Sequence, residues 1–294
     1  MSSIDLDRPY PRSYLYVPAD QADRLAKASG YGADALILDL EDSVHHTRKA
    51  LARGVVTDWL THDPAAQPTV WIRINPSELS ADVDAIAQPV AGVILPKAEP
   101  DRLAELDRIL LAREQALALA PGSLHVIGLI ETARGLISAT EIAGHHRTER
   151  LAIGRADLAG ELGLSVDPDG PEFRSLMLQL VVASSAAGLG APIAPTSTDF
   201  RDLEALRETT ATMDALGFRG RTAIHPAQIP VINAVFTPTV EEVAQAQQLI
   251  DSFTRTQEEG AAVMVDSGGR MVDAAVIRTA TAVLQRARLA DGAH

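Results

Sequence analysis

Two carboxylates, Glu131 in HVIGLIETARG and Asp157 in LAIGRADLAGELG, each stand where an apolar β-like run gives way to a helical one. On neighbouring strands of one parallel sheet, roughly 5 Å apart between chains, two such acids can share a hard divalent cation. Mg²⁺ suits them, since it is commonly held by one or two carboxylates while water and substrate oxygens complete its octahedron. The plainer alternative for each acid is helix N-capping. Their pairing on adjacent strands, with more acids at 39–42, favours the metal.

Further candidates occupy other strand ends. LDLEDS supplies Asp39, Glu41 and Asp42; Glu41 is a candidate catalytic acid and Asp39 a candidate substrate contact. Arg73 lies inside VWIRIN, a stretch too apolar to be surface, and a buried guanidinium needs a partner. It either answers the acidic cluster or binds a substrate carboxylate through its planar fork. An ion-pair network with Arg12 or Arg73 is the structural alternative for Glu41 and Asp42. Pro96, in VILPKAE, is counted with the substrate contacts. Lys97 beside it would be a Schiff-base amine only with a depressed pKa, of which its neighbours give no sign. His225 in AIHPAQI reads as a structural residue closing the last strand. Arg24/Lys27 and Lys49/Arg53 begin two helices near the same end, as solvated faces or as contacts for a phosphate-bearing ligand.

These residues need a frame that gathers strand ends. Apolar runs at 13–17, 34–39, 69–75, 91–95, 124–130, 151–154, 190–193 and 222–225 lack clean alternation, which marks strands buried on both faces. Helical patterns separate them, at 20–30, 45–60, 78–87, 100–118, 132–144, 171–188, 199–217 and 227–236. Eight such units predict an α/β fold, a (β/α)8 TIM barrel over 10–236 whose active site lies at the C-terminal ends of the strands. An open doubly wound sheet is disfavoured, because YVPADQADRL follows the first strand where a Gly-rich phosphate loop would stand. Residues 237–294 leave the βα rhythm: a helix with Thr239 as N-cap and Glu242 three residues on, a Gly-rich stretch, then a second helix near 272–289. This C-terminal helical extension is too small to fold alone and is expected to pack on the barrel or a neighbouring subunit.

The chain has no cysteine, which excludes disulfides, thiolate metal sites and Cys nucleophiles. A net charge of −13 argues against nucleic acid or an anionic membrane as partner. No signal-like or membrane-spanning apolar run occurs, so a soluble cytoplasmic protein is expected.

RSYLYVPAD, GADALILDLEDSV, KALAR, IRIN, VILPKAE, IGLIETARG, AIGRADLAGELG, GFRGRTAIHPAQI and GRMVDAAV, in this order, resemble the citrate lyase β subunit family. That family includes malyl-CoA and citramalyl-CoA lyase-like enzymes of the phosphoenolpyruvate/pyruvate barrel superfamily. The resemblance implies Mg²⁺ on Glu131 and Asp157, and an oxo acid and its enolate on Arg73. It implies substrate or CoA contacts at Arg12 and Lys49, and Asp273 acting as acid/base across a subunit interface, hence a homo-oligomer, with a trimer favoured. The chain departs from the family pattern at Ala156, Ala194 and Gly220-Arg221, the first two being mouth positions where relatives commonly carry acids. Asp42 stands where related sugar-acid aldolases carry His. The implied reaction is Mg²⁺-dependent cleavage or formation of a 3-hydroxyacyl-CoA from a 2-oxo acid and an acyl-CoA. A metal-dependent aldolase on free 2-oxo acids and a non-catalytic ligand-binding barrel are the alternatives.

Overall fold

Parallel strands form at the uninterrupted apolar runs: β1 (Ser13–Pro18), β2 (Ala35–Asp39), β3 (Thr69–Arg73), β4 (Gly92–Leu95), β5 (His125–Ile130), β6 (Thr148–Ile153) and β7 (Arg221–Ala223). The computed structural model describes residues 10–62, 68–87, 90–164, 171–258, 263–265 and 268–291. The strands make one sheet in the order β6-β5-β4-β3-β2-β1-β7, every pairing parallel.

The strand expected at 190–193 is a correction. Only Ile193 and Ala194 bridge, to Ala152 of β6 and Arg221 of β7. Pro192 and Pro195 flank them, and a residue without an N–H cannot extend a ladder. The Ile193 N–H donates to Leu151 O at 2.8 Å and the Ala194 N–H to Gly220 O at 2.7 Å. These bonds join the two edge strands, so the sheet closes as a (β/α)8 barrel whose penultimate stave is two residues long.

The connecting helices are α1 (Ala22–Ala28), α2 (Lys49–His62), α3 (Leu79–Val83), α4 (Pro100–Ala116), α5 (Ala133–Ile137), α6 (Ala139–Ala143), α7 (Arg155–Glu161), α8 (Pro171–Ala187), α9 (Leu203–Leu216) and α10 (Ile229–Phe236). The single helix expected at 132–144 is two, broken at Ser138. The one expected at 78–87 is a single turn and a half. The short α7 has no counterpart among the expected helices, and it carries Asp157.

The barrel interior is filled by alternate residues: Tyr14, Ala35, Ile37, Trp71, Ile94, Ile127, Leu129, Ala152 and Ile193. Side chains two apart on a strand share a face. The same phase carried on toward the strand ends therefore brings Tyr16, Asp39, Arg73 and Glu131 to the upper rim. At the opposite end, fully buried Arg150 donates to Tyr14 Oη at 2.8 Å and to Ala191 O at 2.6 Å, closing the barrel floor.

The chain divides into two compact units, with the barrel in Tyr10–Ala234 and a second unit from Val235 onward. In the second unit, α11 (Val240–Glu258) packs on α12 (Ala274–Asp291). The capping box at Thr239 is formed: Glu242 N–H donates to Thr239 Oγ1 at 3.1 Å, and Thr239 N–H to Glu242 Oε2 at 2.8 Å. Between the helices the Gly-rich stretch holds an antiparallel pair, β8 (Met264–Val265) with β9 (Met271–Val272). Among the described residues no helix is long and apolar enough to cross a membrane.

Candidate active site

A cavity of about 890 Å³ opens at the C-terminal ends of the strands. Asp39, Asp42, Arg73, Glu131 and Asp157 line it, together with Tyr16, Arg24, Tyr31, Arg155 and His225.

Arg73 ends β3 directly opposite Asp39, its register partner on β2. Its Nε and one terminal nitrogen donate to the two Asp39 oxygens, both at 2.7 Å. The other terminal nitrogen lies 2.9 Å from Glu41 Oε2 and 3.6 Å from Asp42. The guanidinium also sits over the Tyr16 ring, 4.8 Å from its centre. Burial disfavours the charged Arg73, yet the bonds and charge of Asp39 outweigh it and its pKa is raised. For Asp39, burial pushes the carboxyl up, but Arg73, Ser43 and the Glu41 N–H hold it below the usual range.

Asp39 also accepts from the N–H of Glu41 at 3.0 Å and of Ser43 at 3.2 Å. With Arg73 this occupies all four acceptor sites of a carboxylate. Asp39, in the cavity wall, thereby orients Arg73. Of the five N–H donors of Arg73, Asp39 uses two, and the second terminal nitrogen faces Glu41 and Asp42.

Glu41 is 8% exposed, and its Oε2 has no hydrogen-bond partner because Arg73 approaches off the bonding direction. Burial first, and then the charges of Asp42, Glu131 and Asp39, push its carboxyl up to about 8. Such a group keeps its proton near neutrality and can donate it.

Glu131 lies one residue beyond β5 and is 5% exposed. The Lys97 N–H donates to its Oε1 at 2.8 Å. Lys97 adopts a left-handed backbone (φ 47°) to aim that N–H, a conformation unusual for a non-glycine residue. Gly154 leaves the room for the carboxylate, because a Cβ there would stand 2.4 Å from Glu131 Oε2. Burial, followed by the charge of Asp157, pushes the Glu131 carboxyl up to about 7 despite the Lys97 N–H, Arg73 and the Lys97 charge. Asp157 is exposed in the first turn of α7, four residues past β6, and not at the strand end itself. An all-oxygen donor pair with one acid strained toward its neutral form fits a hard divalent cation.

Several expected contacts lie elsewhere. Arg12 is at the N-terminal end of β1, where its Nε and one terminal nitrogen grip the two Asp34 oxygens at 2.8 and 2.9 Å. It is at the barrel floor, so its substrate role is corrected to a structural one. The Lys49 ammonium donates to the carbonyls of Leu40 and Glu41, both at 2.6 Å, and is turned into the β2–α2 loop rather than the cavity. Pro96 is buried at the end of β4 and does not line the cavity. Asp273 belongs to the second unit, where its Oδ1 N-caps α12 through the N–H groups of Ala275 and Val276 at 2.8 and 3.1 Å. Ala156 and Ala194 line the cavity, whereas buried Arg221 faces α9 and binds Thr209 and Thr210 at 2.9 and 2.7 Å.

Sequence reasoning missed Gly154, the Lys97 N–H and Tyr16. An isolated Gly at a strand end signals close backbone approach, and that would have pointed to Gly154. Tyr16 follows interior Tyr14 by two residues.

A family model described as HpcH/HpaI aldolase/citrate lyase matches residues 12–226. The chain is 35% identical over 280 residues to (3S)-malyl-CoA thioesterase of Cereibacter sphaeroides, covering 94% of each chain. It is 32% identical over 286 residues to citrate lyase subunit beta of Escherichia coli (strain K12), covering 95% of this chain and 93% of that one. Among solved structures, protein CitE from Mycobacterium tuberculosis in complex with magnesium, acetoacetate and coenzyme A superposes with a TM-score of 0.78. There the identity is 32%, over 96% of this chain and 99% of CitE.

Proposed function

The chain belongs to the HpcH/HpaI aldolase/citrate lyase family, and from that premise we propose that it is a carbon–carbon lyase acting on a 3-hydroxyacyl-CoA of the malyl-CoA or citramalyl-CoA kind. The products in the cleavage direction are a 2-oxo acid and an acyl-CoA. The convergence of Arg73, Glu131 and Asp157 on one cavity carries this reading.

Glu131 and Asp157 would hold Mg²⁺, which when bound supplies Lewis-acid polarisation of the substrate oxygens. The CitE structures of M. tuberculosis contain magnesium with acetoacetate or with pyruvate. Arg73, held by Asp39, donates its remaining N–H groups to the substrate carboxylate and to the oxygen on which negative charge grows. A donor of this kind contributes about 3–4 kcal/mol. In the condensing direction protonated Glu41 donates its proton to the oxygen that becomes the hydroxyl, and in the cleavage direction its deprotonated form takes that proton back as the carbon–carbon bond breaks. The bonding pair passes to the acyl α-carbon, giving a thioester enolate. Protonation of that carbon completes the acyl-CoA, and the family resemblance gives this step to Asp273 of a neighbouring subunit in a homo-oligomer. Acid–base help of this kind contributes about 10²–10⁴-fold.

The test is mutational. Glu131→Gln and Asp157→Asn should each abolish Mg²⁺-dependent turnover, and turnover retained in both ends the reading. Thioester hydrolysis is the second reading, favoured by the similarity to a protein named (3S)-malyl-CoA thioesterase. Product analysis separates the two: an acyl-CoA plus a 2-oxo acid for the lyase, free CoA plus a hydroxy diacid for the hydrolase.

A further inference from the structure

We propose that His225 is a hydrogen-bond donor to the thioester carbonyl of the substrate, at the wall of the mouth away from Arg73 and Glu131. The inference rests on the lyase reading above.

Four observations support it. First, His225 is exposed and lines the cavity, two residues beyond the end of β7. Around the barrel, β7 is followed by β1, β2 and β3, which places Arg73 three staves away. In the other direction come the Ile193–Ala194 stave, β6 and β5, which places Glu131 three staves away as well. An oxo-acid portion held at Arg73 and Glu131 therefore directs the rest of the molecule toward the wall that carries His225.

Second, the tautomer is set. The Ala227 N–H donates to His225 Nδ1 at 3.2 Å, so Nδ1 is the acceptor and the imidazole proton is on Nε2. The free polar edge of the ring is consequently a donor.

Third, the ring is fixed in orientation. It stacks on Phe200 with centroids 4.7 Å apart at 16°, and Arg201 lies over Phe200 at 5.0 Å. Beneath, fully buried Gln228 accepts from the Ile224 and His225 N–H groups at 2.9 and 3.1 Å and ties Ser197 O through its Nε2 at 3.0 Å. A donor locked by stacking and buried hydrogen bonds undergoes no reorganisation during reaction, which is what stabilising a growing oxyanion requires.

Fourth, the chemistry leaves a vacancy in the roles. When the carbon–carbon bond breaks, negative charge leaves the oxygen that becomes the oxo-acid carbonyl and arrives on the thioester oxygen. Arg73 and the Glu131/Asp157 pair serve the oxo-acid end only.

Two substitutions separate the donor from the cap. Asn at 225 keeps an oxygen near the Nδ1 position and is a good N-cap residue, but removes the Nε2–H. Gln restores an N–H near the Nε2 position. With Mg²⁺ and a malyl thioester of N-acetylcysteamine, which lacks the nucleotide, His225→Asn should lower kcat about 10²-fold, in line with loss of one oxyanion donor. Its melting temperature and its affinity for oxaloacetate plus Mg²⁺ should stay at wild-type values. His225→Gln should recover part of the lost turnover. A kcat for His225→Asn within threefold of wild type overturns the inference, as does a Gln variant no faster than the Asn variant. Wild-type protein that cleaves no thioester refutes the lyase reading instead, so the two failures are distinguishable.

Discussion

Replacing Gly154 by alanine tests the site with a single methyl group. Gly154 has φ −93°, an ordinary backbone for any residue, so alanine brings no conformational strain. The added Cβ would stand 2.4 Å from Glu131 Oε2, 2.7 Å from Glu131 Cβ and 3.2 Å from Glu131 Cδ. Ordinary non-bonded contacts lie near 3.5 Å or beyond, so the carboxylate must move by roughly 1 Å. Rotation of the side chain relieves the contact at Oε2 but not the one at Cβ, which is fixed to the chain beyond β5. The backbones after β5 and β6 must part, and the Lys97 N–H bond at 2.8 Å is lost or lengthened. Overpacking of this kind destabilises by about 1–3 kcal/mol. For a protein of this size that lowers the melting temperature by roughly 2–4 °C per kcal/mol. A misplacement of about 1 Å at a reacting centre costs about 10²-fold in rate. The assay pairs Mg²⁺-dependent turnover with thermal melts with and without Mg²⁺. The G154A protein should fold, turn over about 10²-fold more slowly, and gain less stability from Mg²⁺ than wild type. Wild-type turnover together with a wild-type Mg²⁺ response refutes the claim that Gly154 makes room for the Glu131 carboxylate.

Two further outcomes follow from charges in and below the site. Glu41 and Glu131 are raised to about 8 and about 7 from an ordinary 4.5, so the folded chain retains protons there that the unfolded chain releases. That stability is present below pH 4.5 and is lost as pH rises through 7 to 8. The melting temperature of metal-free protein should show this fall between pH 5 and 8, and Glu41→Gln should flatten it; an unchanged slope in E41Q refutes the assignment. Arg12→Ala removes the grip on Asp34 at the floor of the barrel and should destabilise by about 1–3 kcal/mol. Its KM should stay at the wild-type value, and a raised KM at unchanged stability would return Arg12 to the substrate.

Much of the frame was legible because buried parallel strands write themselves as apolar runs. β2, spelled ALILD, is buried at every position, and six of the eight expected strands differ little in extent from those observed. The stave at 190–193 was misread in length because APIAP is apolar, although its prolines cannot join a ladder. Arg12 was misplaced for a different reason. A residue adjoining a strand belongs to the floor or the rim according to which end it adjoins, and Arg12 precedes β1.

Residue types and two-residue periodicity were enough to determine which chain segments become staves and which acids and arginines lie near strand ends. Alternation also dictates that Asp39, Arg73 and Glu131 continue the phases of Ile37, Trp71 and Leu129. Only the folded barrel decided how those groups share their bonds: Asp39 spends both oxygens on Arg73 and the backbone, while Glu41 keeps a buried oxygen that is ion-paired with Arg73 but has no hydrogen-bond partner. The physical reason is that a carboxylate has few acceptor sites and a guanidinium few donors, so each role depends on which neighbour lies within about 3 Å. That distance is set by the closure of the sheet, across residues far apart in the chain.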